Sequence, residues 1–240
     1  MRTFLYREQQ HHWADLVRAL PAKEFAKPSR STVPLLAWWH DHLPVGVTDL
    51  GGATLEVEAE VASTMTTDAA GRPHKNTASY TDVMLRTASA AVAVEGKWTE
   101  KKYPTVKDWL AESPGPNREG VLNHWLGHLA PYCGSGDHRK LGACTNQMLH
   151  RAASACAQGL TEAIVMYQVF GVQDRPRYLD DLRRFRAALD PVRLRLVLMV
   201  VPTATTESWR RLDKATPEEV RVALLRGGLF EFGQPEVVDV

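Results

Sequence analysis

Residues 78–99 read ASYTDVMLRTASAAVAVEGKWT, and this pattern predicts two short strands joined by a tight connection. The first strand covers about Tyr80 to Arg86, and the second begins with the apolar run at residues 90–94. An apolar run of this length, rich in β-branched residues, is typical of a central strand buried on both faces. We therefore expect the rest of the chain to be organised around a buried sheet.

Charged residues begin where the second apolar run stops, at Glu95 and Lys97, and we expect them at a strand end close to solvent. Since side chains alternate along a strand, Glu95 and Lys97 share one face while Gly96 points away from it. If the two strands pair as a hairpin, Asp82 comes level with this pair. Two carboxylates a few ångströms apart repel each other unless a cation lies between them, and oxygen ligands suit Mg²⁺ or Mn²⁺.

An Asp followed after an interval by Glu-X-Lys at the end of an apolar strand resembles the signature of the PD-(D/E)XK nuclease superfamily. The matching residues here are Thr81-Asp82 and Glu95-Gly96-Lys97, with Thr81 where the family name has Pro, and the wider run looks like a bacterial branch of that superfamily. The resemblance implies that Asp82 and Glu95 bind Mg²⁺ or Mn²⁺. It also implies that the Gly96 carbonyl completes the metal site, and that Lys97 assists the attacking water.

The same resemblance, which covers roughly residues 50–171, implies an α/β fold. We expect a restriction-endonuclease-like core with a mixed central β-sheet flanked by helices, followed by a C-terminal helix–strand–helix extension. Residues 1–240 then form one nuclease-like domain, with N-terminal helices at 1–49 and the extension at 172–240. The implied activity is metal-dependent hydrolysis of nucleic acid, DNA above all, as in restriction, phage defence or repair. Assembly as a homodimer is left open.

Further candidate residues lie on both sides of the motif. The alternation of Thr54–Val61 predicts a strand with Glu56, Glu58 and Glu60 on one face; Glu58 is the candidate third acidic ligand, and a solvated acidic face is the alternative. Gln147 and Arg151 lie one turn apart on a predicted helix, and they either aim at the site or at a phosphate, or form a buried hydrogen-bonded pair. With them, the candidate contacts to nucleic acid are Arg72, Lys75, Lys101, Lys102, Gln147 and Arg151.

Hydrophobic periodicity predicts the remaining elements. Helices are expected at residues 7–20, 29–43, 106–110, 117–132, 144–157, 178–189 and 216–225, and strands at 163–170 and 194–201. Seven arginines against three aspartates between Arg175 and Arg195 form the strongest local basic surface, with a solvated helix face as the alternative. Ser31 is the expected cap of the second helix.

Composition narrows the class of protein. The 240 residues are 44% hydrophobic and 24% charged with a net charge of +1, so any surface for nucleic acid must be local. A signal-like N-terminus and a long apolar stretch are both missing, which predicts a cytoplasmic protein without a membrane span. The odd number of cysteines matches no disulfide framework, and the following residues match no compact zinc pattern: Cys133, His138, Cys144 and His150.

Two other classes of function stay open. One is a catalytically silent nucleic-acid-binding or regulatory module on the same fold, and the other is a hydrolase acting on a different phosphodiester. The presence of Asp82, Glu95 and Lys97 together favours an enzyme, because a binding module has no physical need for paired carboxylates beside phosphate. For the residues themselves, the alternative is a solvated salt bridge worth about 0–1 kcal/mol.

Overall fold

The computed structural model describes residues 4–42, 53–61, 79–100, 103–112 and 116–240. Its strands are β1 (Phe4–Tyr6), β2 (Gln9–His11), β3 (Thr54–Val61), β4 (Ser79–Arg86), β5 (Ala90–Lys97), β6 (Glu162–Phe170), β7 (Leu194–Val201), β8 (Thr203–Thr205), β9 (Phe230–Phe232) and β10 (Glu236–Asp239). Eight of them form one sheet in the order β10-β7-β6-β5-β4-β3-β1-β2, and β8 pairs with β9. Parallel and antiparallel pairs both occur, so the expected mixed central sheet is confirmed.

Helices cover both faces of this sheet, which confirms the α/β class. They are α1 (Trp13–Ala19), α2 (Thr32–Asp41), α3 (Val106–Glu112), α4 (Pro116–Leu129), α5 (Asn146–Cys156), α6 (Arg175–Leu189), α7 (Glu207–Arg210) and α8 (Pro217–Arg226). One hydrophobic core lies between the sheet and α4, α5 and α6, and the other between the sheet and α1, α2 and α8. No helix among the described residues is long and apolar enough to cross a membrane.

The centre of the sheet is built from the predicted strand pair and its parallel neighbours. β4 and β5 are antiparallel, with Val83 opposite Val94, while β5, β6 and β7 run parallel. All eight residues of β5 are buried, as its apolar run predicts. The sheet continues past residue 171, because β7 and β10 add to it beside β6. The carboxyl ends of β5, β6 and β7 therefore meet at one edge.

Two local predictions fail for physical reasons. The expected helix at 7–20 begins only at Trp13, because Arg7 and Glu8 adopt positive φ values of 50° and 64° and close a hairpin between β1 and β2. A hairpin turn with two positive φ values usually carries Asn or Gly, so Arg-Glu gave no signal for it. The burial of β1 against β3 outweighs the unfavourable backbone conformation of the Arg7-Glu8 turn.

The hydrogen bonds at the start of α2 also differ from the prediction. The Ser31 side chain makes no cap hydrogen bond. Instead the backbone N–H of Ser31 donates to Oε1 of Glu100 at 2.5 Å, and Oε2 of Glu100 accepts from the N–H of Trp98 at 2.7 Å. One carboxylate thus joins the start of α2 to the segment that follows β5.

Candidate active site

Glu95 and Lys97 lie side by side at the end of β5 and point toward α5. Nζ of Lys97 donates to Oε1 of Glu95 at 2.7 Å, so the two side chains share a face as the alternation predicts. Each residue is only 3% exposed. The expectation that these charges emerge toward solvent is therefore wrong, because α5 packs across the end of the strand.

Helix α5 supplies two more polar side chains to this pair. Oε1 of Gln147 accepts from Nζ of Lys97 at 2.7 Å, and Nε2 of Gln147 donates to Oε1 of Glu95. Nε of Arg151 donates to Oε2 of Glu95 at 2.5 Å. Both oxygens of Glu95 consequently accept hydrogen bonds from buried donors, two of which belong to cations.

Asp82 completes the cluster from the neighbouring strand. Beyond the pair Val83–Val94, its Oδ2 accepts from the backbone N–H of Gly96 at 3.0 Å, while its Oδ1 accepts from Nη2 of Arg151 at 3.3 Å. The side chain of Asp82 keeps 31% of its surface exposed, so this carboxylate faces solvent while Glu95 does not. A single guanidinium therefore bridges the two carboxylates that the sequence predicts as metal ligands.

The cluster brings two carboxyl groups and two cationic side chains together in a largely buried setting. Burial opposes ionisation of Glu95, but Arg151 and Lys97 outweigh it and hold the pKa of Glu95 below its ordinary value. Burial likewise lowers the pKa of Lys97, but the Glu95 carboxylate outweighs it, and the pKa of Lys97 is raised. Lys97 is thus a charged donor at neutral pH, which favours electrostatic stabilisation over proton abstraction.

Asp82 is the member of the cluster that titrates near neutrality. Burial raises the pKa of Asp82 to about 7; the charge of Glu95 adds to this shift, and Arg151 and Lys97 oppose it. Its partial exposure to water moderates the cost of ionisation. The carboxylate pair therefore resists a second negative charge, as expected of two acids that share one site.

Gly96 lies on the opposite face of β5, against the start of α2. A Cβ atom built on Gly96 would be 3.1 Å from Cβ of Ser31 and 3.2 Å from Cδ2 of Leu35. The absence of a side chain therefore permits α2 to pack closely on the strand at the level of the site. This close contact fixes the backbone N–H that Asp82 accepts from.

A second set of residues, which begins with His150, supports the side chain of Arg151. Nδ1 of His150 lies 2.9 Å from Nη1 of Arg151, and burial, together with the charge of Arg151, lowers the pKa of His150 to about 3. The neutral imidazole is able to accept from the guanidinium. His150 stacks on Trp125 at 5.1 Å between ring centroids, and Trp125 stacks on Trp109 at 5.3 Å. This stack limits the orientations open to Arg151.

Two tyrosines lie next to the cluster: Tyr103, which belongs to the wider run that carries the resemblance, and Tyr167, which the sequence did not indicate. The ring of Tyr103 covers Nζ of Lys97 at 4.4 Å from the ring centroid. Tyr167 lies beside Glu95 in the parallel register of β6, and its buried hydroxyl has no hydrogen-bond partner among the described residues. The position of Tyr167 follows from the pairing of strands that are distant in sequence, so neither spacing nor periodicity indicated it.

The other predicted site residues fall into three groups. Gln147 and Arg151 are buried in the cluster, where both bind Glu95, and their contact with phosphate stays a prediction. Glu58 is placed by backbone register only: Val57 lies opposite Val83 and Ala59 opposite Thr81, which sets Glu58 level with Asp82. The remaining candidates lie outside the described residues: Arg72, Lys75, Lys101 and Lys102.

The expected basic surface is largely neutralised by neighbouring acids. Within and around α6, ion pairs join Arg177 to Asp174 at 3.7 Å, Arg183 to Asp180 at 3.5 Å and Arg184 to Asp181 at 3.1 Å. These pairs at i,i+3 spacing support a solvated helix face, the alternative to a phosphate-binding surface. Among the described residues, no group of three or more His, Cys, Asp or Glu side chains is placed to hold a metal ion, and this finding applies to Mg²⁺ and Mn²⁺ as well as to zinc.

Comparison with known proteins gives one match. A family described as "Domain of unknown function (DUF6946)" matches residues 8–229 of the chain. Neither the curated proteins nor the solved structures compared with the chain gave a match. The matched range contains the whole Asp82–Lys97 motif and helix α5. It also extends well beyond the 50–171 range of the resemblance seen in the sequence.

Proposed function

This chain belongs to the family of unknown function DUF6946, and we propose from its own site that it is a metal-dependent nuclease acting on DNA. The observation that carries the proposal is the convergence of Asp82 on β4 with Glu95 and Lys97 at the end of β5, with one guanidinium joining the two carboxylates. The proposal includes the resemblance to the PD-(D/E)XK nucleases and a restriction-endonuclease-like core. A cytoplasmic location belongs to the same proposal.

The donor set fits Mg²⁺ or Mn²⁺ in chemical terms. Asp82 and Glu95 offer carboxylate oxygens, the Gly96 carbonyl is the expected backbone ligand, and Glu58 lies level with Asp82 in β3. Such hard oxygen ligands, completed by water, are what these cations prefer. Arg151 at present supplies the positive charge between the carboxylates, so a divalent cation would take over this role. When bound, the cation polarises a phosphoryl oxygen and lowers the pKa of a bound water.

The chain's own residues supply the remaining roles in the proposed reaction. Glu95 and Gln147 each accept one N–H of Lys97, and the ring of Tyr103 covers the same ammonium, so a phosphate oxygen or a water reaches Lys97 only beside this ring. Because Lys97 is held charged, it stabilises negative charge that develops on the phosphate or orients the attacking water. Arg151, once released from the carboxylates, is placed to bind phosphate.

A specific observation favours the second candidate, a catalytically silent nucleic-acid-binding module. Asp82 and Glu95 already accept hydrogen bonds from Arg151, Lys97, Gln147 and the Gly96 N–H. A buried network satisfied in this way is stable without a metal. A hydrolase of another phosphodiester would use the same cluster as the nuclease does.

The test is cleavage of DNA by the purified protein. Linear, circular and single-stranded DNA are incubated with Mn²⁺, with Mg²⁺ or with EDTA, and Asp82→Asn serves as a control of nearly equal volume. We expect cleavage with either metal, and none with EDTA or with the variant. Binding of DNA without cleavage under every condition would instead support the silent module.

Asp82→Asn also gives a prediction on stability that needs no substrate. The folded pKa of Asp82, about 7, lies above its ordinary 3.8, so the unfolded chain loses this proton first as pH rises. The metal-free wild type therefore loses stability between about pH 4 and pH 7, and the loss is complete above this range. The amide in the variant does not ionise, so the variant's melting temperature should rise relative to wild type as pH increases from 5 to 8.

Manganese should stabilise the wild type and leave the stability of Asp82→Asn nearly unchanged. At about ten times its dissociation constant a ligand stabilises by roughly 1.4 kcal/mol, or about 3–6 °C for a domain of this size. The wild type should show this shift, and Asp82→Asn should lose most of it. Equal shifts in both proteins would remove Asp82 from the metal site.

A further inference from the structure

Two tyrosines are exposed at the candidate site. Tyr80 is 44% exposed and Tyr103 is 45% exposed. Among the large hydrophobic side chains of the described residues, the others classed as exposed are three valines: Val172, Val192 and Val222. The exposed aromatic rings in this part of the chain therefore both belong to segments that form the site. Tyrosine is intermediate in its tendency to be buried, and it is enriched at binding surfaces, where its ring packs against a partner while its hydroxyl contacts water.

Tyr80 lies beside Asp82 on β4. The two residues are two positions apart, so they share one face of the strand and their Cα atoms are about 7 Å apart. The Asp82 side chain on this face is itself partly exposed. A group that rests on the Tyr80 ring is thus a short distance from the carboxylate that faces solvent.

Tyr103 lies over the other end of the cluster. One face of its ring covers Nζ of Lys97, and the exposure of the ring leaves its other face to solvent. The chain just beyond it is held by backbone bonds to the start of α5, from the N–H of Asn146 to Pro104 O at 3.1 Å and from the N–H of Val106 to Cys144 O at 2.8 Å. The ring is therefore held in place before any ligand arrives.

We propose that Tyr80 and Tyr103 stack on unpaired bases, so that the substrate is nucleic acid which is single-stranded at the cleaved phosphate. This inference rests on the proposed function and narrows its substrate class. Stacking of a base on an aromatic side chain contributes about 1–3 kcal/mol and tolerates any sequence, because every base has a π-face. Bases in an intact duplex stack on each other and do not offer that face.

Charge supports the same choice of ligand. The net charge of +1 gives little long-range attraction for the dense phosphates of a duplex. The α6 arginines named above are paired with acids. A protein partner would need a continuous apolar patch, but here a charged cluster separates the two rings. Base stacking on either side of a phosphate-binding centre fits this arrangement.

The test compares binding of three fluorescent probes in Mn²⁺ by anisotropy. The probes are a single strand, the duplex of the same sequence and a single strand of abasic sugars, all with a nuclease-resistant phosphorothioate backbone. Tyr80→Ala and Tyr103→Ala should each weaken single-strand binding by roughly 5- to 100-fold. Tyr80→Phe and Tyr103→Phe should bind within a few-fold of wild type, since the ring and its contact with Lys97 persist.

The abasic probe gives an independent readout, because wild type should bind it about as weakly as the alanine variants bind the normal strand. Equal single-strand affinity of wild type and both alanine variants would overturn the stacking, as would a preference for duplex. Failure of the nuclease function is read separately, from cleavage. If cleavage depends on metal but the tyrosine substitutions have no effect on binding, only the stacking proposal is wrong. If the tyrosines produce a preference for the single strand but no DNA is cleaved, the nuclease proposal is wrong and the stacking proposal holds.

Discussion

Replacement of Lys97 by methionine should lower the rate of metal-dependent DNA cleavage by about 100-fold or more. The expected size follows from loss of one fixed charged donor beside the reacting phosphate. Methionine keeps an unbranched side chain in the space of the lysine stem, so the change removes the charge and little volume. The measurement is single-turnover cleavage of a linear single-stranded DNA, normalised to the folded fraction of each protein.

Stability must be measured with the rate, because Lys97 is buried. The sequence predicts Lys97 at a strand end close to solvent, but α5 covers this end of the strand. Removal of one partner from a buried ion pair costs about 3–5 kcal/mol, and Arg151 and Gln147 should reduce this loss by still contacting Glu95.

A matched control is Arg86→Met, at the far end of β4. Arg86 donates to Glu56 at 2.6 Å and to Gln158 at 2.7 Å, so the variant also loses a partly buried cation from the same sheet. It should lose stability and keep its cleavage rate per folded molecule. A normal rate in Lys97→Met, normalised in the same way, would end the proposed role of Lys97.

The central sheet was open to prediction because its signals are local. Alternation in β3, the apolar run of β5 and the sharp change to Glu95-Gly96-Lys97 are all read within a few residues. The pleat alone then places Glu95 beside Lys97. By contrast, Glu56 lies on the predicted strand, but the expectation of a solvated side chain is wrong, because Arg86 forms an ion pair with it across the sheet.

The contacts that α5 makes with the cluster could not be predicted from local signals in this way. Gln147 and Arg151 are separated from Glu95 by 52 and 56 positions, and their partners depend on which face of the sheet the helix covers. Spacing showed that the two side chains project from the same side of a helix, and nothing local distinguished a carboxylate from a phosphate as their ligand. The bridging guanidinium is a product of tertiary packing.

This bridge makes Arg151→Met the variant with the largest expected effect on stability. Arg151 is 4% exposed and contacts both Asp82 and Glu95, so its removal leaves two close carboxylates with Lys97 as the remaining cation of the cluster. We expect the metal-free protein to lose about 3–5 kcal/mol in its free energy of unfolding. Urea unfolding at pH 7.5 in EDTA measures this loss. Arg151→Lys, which keeps the charge, should retain most of the stability.

Mn²⁺ should restore much of the stability lost in Arg151→Met, and the gain should exceed the gain in wild type. In wild type the metal competes with the guanidinium for the same two carboxylates, whereas the variant presents them without this competitor. Arg86→Met should lose stability without recovering it in Mn²⁺, because its partner Glu56 belongs to no carboxylate pair at the site. If Mn²⁺ leaves Arg151→Met as unstable as EDTA does, the bridge is a structural ion pair, and the silent binding module becomes the better account of the cluster.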